Sequence, residues 1–235
     1  MSRFYSLALH DLKVSEGRSA IFTIERLQKY FQIPLTLHLI FDANPDTQPE
    51  LLTYLQDQAH AGNLEIVFHG LKHTCSKNVS KLWTFFHKYQ AEYLENDAGH
   101  LQATQENFKA IVDKIKMQIG LCPPCWLASR KNMAFFRSLH PLYIETLLYL
   151  RNQDQKVISP VISLGSPKRF EITALKILAG AIYMLAAIFS MNRIRIAIHV
   201  CDLDSDTALC FFGNLVSKLN RRDFKPVLLR NLIKR

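Results

Sequence analysis

The fold of this chain is decided by residues 64–73, which read LEIVFHGLKH. The run from Leu64 to Phe68 is apolar except at Glu65, a composition typical of a buried strand. His69 and His73 follow directly, so the strand carries two imidazoles to the point where it ends. Comparable runs elsewhere in the chain determine the fold class.

Strand-like runs alternate with helix-like stretches along the sequence. The other predicted strands are Phe4–His10, Leu35–Phe41, Lys156–Ile162 and Arg193–Val200. The predicted helices are Ser19–Phe31, Pro49–Ala61, Gln102–Ile119 and an apolar helix that ends near Asn192. This alternation predicts an α/β fold, either a parallel sheet buried on both faces or a barrel. In both, functional side chains collect at the carboxyl ends of the strands.

The composition indicates a single packed domain over residues 1–235. Hydrophobic residues make up 49% of the chain, which excludes a disordered or fibrous protein. Residues 1–9 lack the features of a secretory signal. The five cysteines are an odd number, which fits a reducing compartment better than a disulfide framework. We therefore expect a cytoplasmic location.

One apolar run, Ile177–Met191, could form either a membrane span or a buried helix. A span needs about 20 apolar residues, and this run has only about 15. The sequence therefore predicts a buried helix.

The positive charge is concentrated near the C-terminus. The chain carries +9, and residues 218–235, here called the basic segment, hold seven basic residues and one acid, which is +6. Apolar positions after Pro226 fall close to one helical face, which predicts a basic helix at about 218–235. This helix either packs its apolar face on the body of the protein or docks on an anionic membrane. No nucleic-acid motif accompanies the charge, so no nucleic-acid partner is expected.

Polar residues with metal-ligating side chains lie at the ends of four predicted strands. They are His10, Asp11, Asp42, His69, His73 and His199. Two imidazoles in an HxxxH spacing and a carboxylate from a neighbouring strand provide three ligands and leave positions open for water. The sequence therefore predicts a catalytic metal site, with a chance histidine pair as the structural alternative.

These residues resemble the motifs of the polysaccharide deacetylase superfamily of NodB-like carbohydrate esterases, and especially a divergent branch that begins with His-Asp. The matching pieces are Ala8–Asp11, Glu65–His73, Pro123–Leu127 and Ile198–Asp202. The second piece is the most specific. The resemblance implies a distorted, incomplete (β/α) barrel, a divalent metal that is usually zinc, and hydrolysis of an N-acetyl group from an amino sugar.

The resemblance also implies roles for individual residues. Asp11, His69 and His73 would be the metal ligands. His199 would be the general acid that protonates the leaving amine.

The base and the sugar pocket depart from the family pattern. The family's catalytic base is replaced by His10, so the base is either His10 or Asp42, and Asp42 is also a candidate substrate contact. Pro124 and Trp126 would form a wall of the sugar pocket. Cys122 stands where the family often has an arginine.

Two functions of different classes follow from these observations. The first is a metal-dependent carbohydrate N-deacetylase. The expected cytoplasmic location and the basic segment narrow its substrate to a lipid-linked amino sugar used in cell-envelope or lipid A modification, with peripheral contact at the inner membrane. The alternative is a catalytically inactive carbohydrate-binding or membrane-docking module on the same fold, which the departures at His10 and Cys122 motivate.

Overall fold

The computed structural model describes residues 2–74, 92–94, 97–163 and 192–234. The strands in these ranges are β1 (Arg3–Lys13), β2 (Leu35–Ile40), β3 (Leu64–Phe68), β4 (Gly120–Leu121), β5 (Ile144–Glu145), β6 (Tyr149–Arg151), β7 (Lys156–Ile158), β8 (Val161–Ser163), β9 (Arg193–His199) and β10 (Phe224–Pro226). The helices are α1 (Arg18–Phe31), α2 (Pro49–His60), α3 (Ala98–Ile115), α4 (Arg130–Ser138), α5 (Asp206–Asn220) and α6 (Leu229–Lys234). Short 3-10 turns occupy Val14–Glu16, Pro45–Thr47, Pro124–Trp126 and Val200–Asp204.

All ten strands belong to one curled sheet. Its order is β7-β6-β5-β4-β3-β2-β1-β9-β8, and β10 pairs with the start of β1. The pairs β5–β6 and β6–β7 are antiparallel, and the other pairs are parallel. This architecture confirms the predicted distorted, incomplete (β/α) barrel.

The two faces of the sheet differ in chemistry because side chains alternate along each strand. The outer face is apolar and packs against the helices, as Leu35, Leu37 and Leu39 of β2 do. The inner face combines an apolar cluster, which includes Phe4, Ala8 and Val67, with buried polar side chains. Its buried polar side chains include Ser6, His10, Thr36, His38, Glu65 and Arg195. The functional residues of the central strands therefore share the concave inner face.

The predicted helices and strands agree with the structure in most of the described ranges. The predicted strand Leu64–Phe68 and the predicted helix Ser19–Phe31 correspond to β3 and α1. The predicted helix Gln102–Ile119 is α3, which begins earlier because Asp97 accepts hydrogen bonds from the first backbone N–H groups. The predicted apolar helix over Ile177–Met191 lies outside the described residues.

One predicted strand, Lys156–Ile162, is wrong as a single element. It is divided into β7, which pairs antiparallel with β6, and β8, which pairs parallel with β9. Pro160 lies between them and has no backbone N–H to continue a ladder. The chain turns there and passes to another part of the sheet.

The basic segment is not the single helix that the sequence predicts. Its first residues end α5, the next form β10, and only Leu229–Lys234 form α6. Leu229 and Leu232 of α6 are buried in an apolar cluster with Phe4 and Val67 of the inner face. The backbone N–H of Arg230 donates to the Glu65 carboxylate at 3.1 Å. This helix therefore closes the amino-terminal end of the barrel.

No helix in the described ranges is long and apolar enough to cross a membrane.

Candidate metal centre

An irregularity in β1 places the first candidate ligand. The sequence predicts that the strand ends at His10, whereas β1 continues to Lys13 through a register shift between Leu9 and Leu12. Asp11 lies at this bulge with φ 65°, in the left-handed region that L-residues rarely adopt. A bulge re-aims the side chain that it carries. The Asp11 carboxylate thereby joins the imidazoles at the end of β3.

Asp11, His69 and His73 form a compact group of three ligand atoms. The Oδ1 atom of Asp11 lies 3.1 Å from Nε2 of His73 and 3.4 Å from Nε2 of His69. The three ligand atoms lie within 4.8 Å of one another. Exposed fractions of the Asp11 and His73 side chains are 30% and 13%, so the group is open to solvent on one side. This is the geometry of a site with room for a further ligand.

The orientation of His69 indicates what this group holds. Its Nδ1 lies 2.9 Å from the backbone carbonyl oxygen of Cys122. A carbonyl can only accept, so Nδ1 carries the proton and donates it. Burial lowers the pKa of His69 to about 4, which leaves the ring neutral near pH 7. Its Nε2 then presents a lone pair to the Asp11 carboxylate, and two facing acceptors favour a cation between them.

His10 and His199 lie beside the three ligands, on paired positions of β1 and β9. Their ring centroids are 5.4 Å apart, and the His10 centroid is 5.0 Å from that of His69. Burial, together with nearby His38, His69 and His199, holds the pKa of His10 well below its ordinary value. The environment therefore favours the neutral ring of His10, whose buried Nε2 atom has no hydrogen-bond partner within the described residues.

Asp202 fixes the chain around His199. One Asp202 carboxylate oxygen accepts the backbone N–H of His199 at 2.9 Å and lies 3.5 Å from its Nδ1. The Ser163 hydroxyl is also 3.5 Å from that Nδ1. A ligand atom of His199 lies within 4.8 Å of ligand atoms of His10 and Asp11, so this ring belongs to the same rim.

Below the candidate site lies a buried polar network that the sequence analysis missed. The ring of His38 stacks on His10 with centroids 3.6 Å apart, and its Nε2 is 2.7 Å from Glu145. The other Glu145 oxygen accepts from Arg195 at 2.7 Å and from Trp126 Nε1 at 3.2 Å. Burial opposes ionisation of Glu145, but His38 and Arg195 hold its pKa at about 2. One carboxylate thereby supports both His10 and Trp126.

The remaining predicted site residues fall in two places. Pro124 is buried beside Gly70, and the Trp126 ring lies 5.1 Å from that of His10. Asp42 is exposed, and its two carboxylate oxygens accept from the Ser15 backbone N–H at 3.0 Å and hydroxyl at 2.6 Å. The structure brings Pro124 and Trp126 to the candidate site, and it places Asp42 in a separate contact with Ser15.

Three solved structures have a similar architecture. A probable polysaccharide deacetylase from Pseudomonas aeruginosa is 12% identical, with 97% of this chain and 89% of that chain covered and a TM-score of 0.58. The Bc1960 peptidoglycan N-acetylglucosamine deacetylase is 12% identical, with 99% and 94% covered and a TM-score of 0.54. A family 4 acetyl xylan esterase from Clostridium thermocellum, in complex with a cobalt ion, is 14% identical, with 98% and 90% covered and a TM-score of 0.50.

The chain has the polysaccharide deacetylase fold. No protein-family model and no curated protein matches the sequence. The fold that the sequence motifs imply is confirmed by these three structures. This fold accounts for the position of the candidate ligands, because it gathers the carboxyl ends of β1, β3 and β9 at one rim.

Proposed function

We propose that the chain is a metal-dependent hydrolase that removes the N-acetyl group from an amino sugar. The observation that carries this proposal is the convergence of Asp11, His69 and His73, with the Nε2 lone pair of His69 directed at a carboxylate. Without a cation, the lone pair of His69 Nε2 and the carboxylate of Asp11 face each other and repel. With one, it forms the three-ligand site of a hydrolase.

Two imidazoles and one carboxylate suit zinc, and they also suit cobalt, the ion in the Clostridium thermocellum structure. An ion in this position supplies Lewis acidity, which polarises a carbonyl and makes water more acidic. The Cys122 carbonyl fixes the His69 ring for this task. Such a hydrogen bond to the second ring nitrogen is typical of metal-ligating histidines.

We assign acid and base roles to the two histidines on the paired positions of β1 and β9. His10 lies beside Asp11, and its Nε2 atom has no hydrogen-bond partner within the described residues, so it is placed to accept the proton of the attacking water. His199 protonates the leaving amine as the C–N bond breaks. Asp42 is less suited to the role of base, because both of its oxygens already accept hydrogen bonds from Ser15.

The sugar would lie against Pro124 and Trp126. The Nε1–H of Trp126 donates a hydrogen bond to Glu145, and this bond fixes the ring in one orientation beside His10. A fixed aromatic face is suited to the apolar face of a sugar ring. The catalytic histidines and this wall are then connected through one buried carboxylate.

The narrower hypothesis of a lipid-linked sugar rests on the basic segment alone. β10 pairs with Arg3–Tyr5 at the start of β1, whereas Asp11 lies toward its other end. At about 3.3 Å per residue, residues Arg3–Tyr5 lie roughly 20 to 26 Å from Asp11 along the strand. A membrane bound by the basic segment would therefore face the end of the barrel opposite to the metal ligands.

The test is acetate release from a chito-oligosaccharide by purified protein with measured zinc content. We expect one ion per chain and turnover of the amide, and we expect His69→Ala to remove both because it deletes one of three ligands. The control is His60→Ala, which changes an exposed histidine at the end of α2. Full metal occupancy in His69→Ala would contradict the ligand assignment.

Two other outcomes identify the alternatives. Release of acetate from acetylated xylan but not from the chito-oligosaccharide would make the protein an esterase. Sugar binding without any bound ion or turnover would favour the inactive binding module.

A further inference from the structure

We propose that Glu92 is a positioning residue for the metal centre, and that it holds the turn between His69 and His73 in its ligating shape. This inference rests on the proposed function, because it takes His73 as a metal ligand. Glu92 belongs to none of the sequence motifs and lies 19 residues after His73 in the chain.

The carboxylate of Glu92 accepts from consecutive backbone N–H groups of that turn. Oε1 accepts from Leu71 at 2.8 Å, and Oε2 accepts from Lys72 at 2.9 Å and from His73 at 2.5 Å. Glu92 is only 4% exposed, so water cannot readily replace it. Hydrogen bonds to a charged acceptor are about twice as strong as those between neutral groups. Three consecutive backbone N–H groups of the turn therefore bind one carboxylate.

This anion compensates for an unfavourable backbone conformation. His73 has φ 54° and Gly70 has φ 94°, so the turn passes twice through the left-handed region. A β-carbon-bearing residue such as His73 pays a steric penalty there. Backbone N–H groups that converge in such a turn form a natural anion-binding concavity. Glu92 fills it from within the chain and so stabilises the conformation that directs His73 toward Asp11.

The position of Glu92 is itself fixed by the following residue. Tyr93 is buried, and its carbonyl oxygen accepts from the Ser129 backbone N–H at 2.9 Å and from Asn132 Nδ2 at 2.8 Å. Its hydroxyl lies 3.0 Å from that of Thr104 on α3. Contacts to the start of α4 and to α3 thus hold the backbone beside Glu92 from two directions. A carboxylate on such a support can define the position of the turn.

Glycine at position 70 is coupled to this carboxylate. A β-carbon there would lie 2.3 Å from Glu92 Oε1 and 3.0 Å from Pro124 Cγ. Any larger residue would therefore displace Glu92 or the turn. Gly70 gives the carboxylate the space that it needs directly after the ligand His69.

The main test is the metal dissociation constant of Glu92→Gln, measured by competition with a coloured chelator. The amide keeps the size of the side chain but replaces one acceptor oxygen with a donor, which opposes the N–H groups. We expect zinc binding to weaken about 10- to 100-fold, the usual effect of removing a partner that orients a ligand. The matched control is Glu65→Gln, another buried carboxylate that accepts backbone N–H, at the opposite end of β3. Its zinc affinity should equal that of the parent.

Thermal unfolding without metal separates positioning from stability. A Glu92→Gln variant with a lowered Tm and parental zinc affinity would overturn the proposal. So would a Glu65→Gln variant that loses zinc affinity equally, because the effect would then be general.

A second pair of variants covers the case in which Glu92→Gln does not fold. Gly70→Ala keeps the charge and displaces it, so zinc binding should weaken. Because part of the cost of Gly70→Ala is its clash with the Glu92 carboxylate, Gly70→Ala combined with Glu92→Ala should cost less than the sum of the single changes. Additive losses would overturn the coupling.

The parent and His69→Ala distinguish the two proposals. If the parent binds one ion, His69→Ala binds none and Glu92→Gln binds as tightly as the parent, only the positioning role fails. A parent that binds no ion overturns the proposed function and the positioning role with it.

Discussion

The two ends of β1 carry opposite kinds of structure. At the carboxyl end, the strand bulges, Asp11 adopts φ 65°, and the His10 Nε2 atom is buried without a hydrogen-bond partner. At the amino end, β10 extends the ladder, and the backbone N–H of Arg230 donates to the buried Glu65. One end has strained backbone and converging candidate ligands, and the other has a regular ladder covered by a helix.

This difference separates the parts of the molecule that would react from those that hold it together. Strained backbone and unpaired polar atoms cost stability, so they persist where surrounding structure enforces them and where a ligand can use them. The amino half of β1, Arg3–Leu9, contains no left-handed residue, and it is closed by the apolar side chains of α6. Changes at the two ends should therefore affect different measurements.

The largest expected effect comes from His199→Ala at the carboxyl end. Removing a positioned general acid should lower turnover of an N-acetyl amino sugar about 10²- to 10⁴-fold. Zinc content and Tm should stay at the parental values, because His199 is partly exposed at the rim and is not one of the three ligands. Turnover is measured by acetate release at saturating substrate.

A substrate with a better leaving group sharpens this prediction. An ester needs less protonation of its leaving oxygen than an amide needs of its nitrogen, so His199→Ala should lose less activity on an acetate ester. Equal losses on both substrates would contradict the acid role and would instead indicate a general disturbance of the rim.

The sequence predicted the carboxyl end better than the interior. HxxxH after a strand is a local pattern, so His69 and His73 could be read directly. The sequence analysis does not identify His38 and Arg195, because it treats each strand as buried and does not separate its two faces. In fact polar residues alternate with apolar ones in β2 and β9, and this period of two could have placed both side chains on the inner face.

Other features had no local signal at all. β5 has only two residues, so Glu145 could not be recognised as part of a strand. Glu92 acts on a turn 19 residues earlier, which no spacing rule predicts. The division of the basic segment into α5, β10 and α6 depends on a tertiary contact, the pairing of β10 with β1. Long-range contacts of this kind override helical periodicity.

A smaller effect, on stability, is expected from Glu65→Gln at the amino end. Burial raises the pKa of Glu65 to about 7 from an ordinary value of 4.5, although the Arg230 N–H opposes this. Between these two pH values the folded chain keeps a proton that the unfolded chain has released. Stability of the parent therefore falls as the pH rises through this range.

Glutamine does not titrate in either state, so the variant should lack this loss. At pH 8 its free energy of unfolding should exceed that of the parent by up to about 3 kcal/mol, as measured by urea unfolding. The exposed Glu50→Gln serves as control and should follow the parent at every pH. A Glu65→Gln curve parallel to that of the parent would show that Glu65 does not titrate in this range.

The smallest expected effect comes from neutralising the basic segment with Arg221→Gln, Arg222→Gln and Lys225→Gln. These side chains are exposed, so the free energy of unfolding should change by less than about 0.5 kcal/mol for each. Turnover of a soluble amide should be unchanged, because β10 pairs with β1 roughly 20 to 26 Å from Asp11. If the segment docks on membranes, sedimentation with anionic vesicles should fall, and salt should have the same effect.

A control that removes the same charge elsewhere, at the exposed Lys109, Lys131 and Arg137, distinguishes a docking surface from net charge. Equal losses of vesicle binding in both variants would show that the segment has no special role, and a lipid-linked sugar would then have no support over a soluble one.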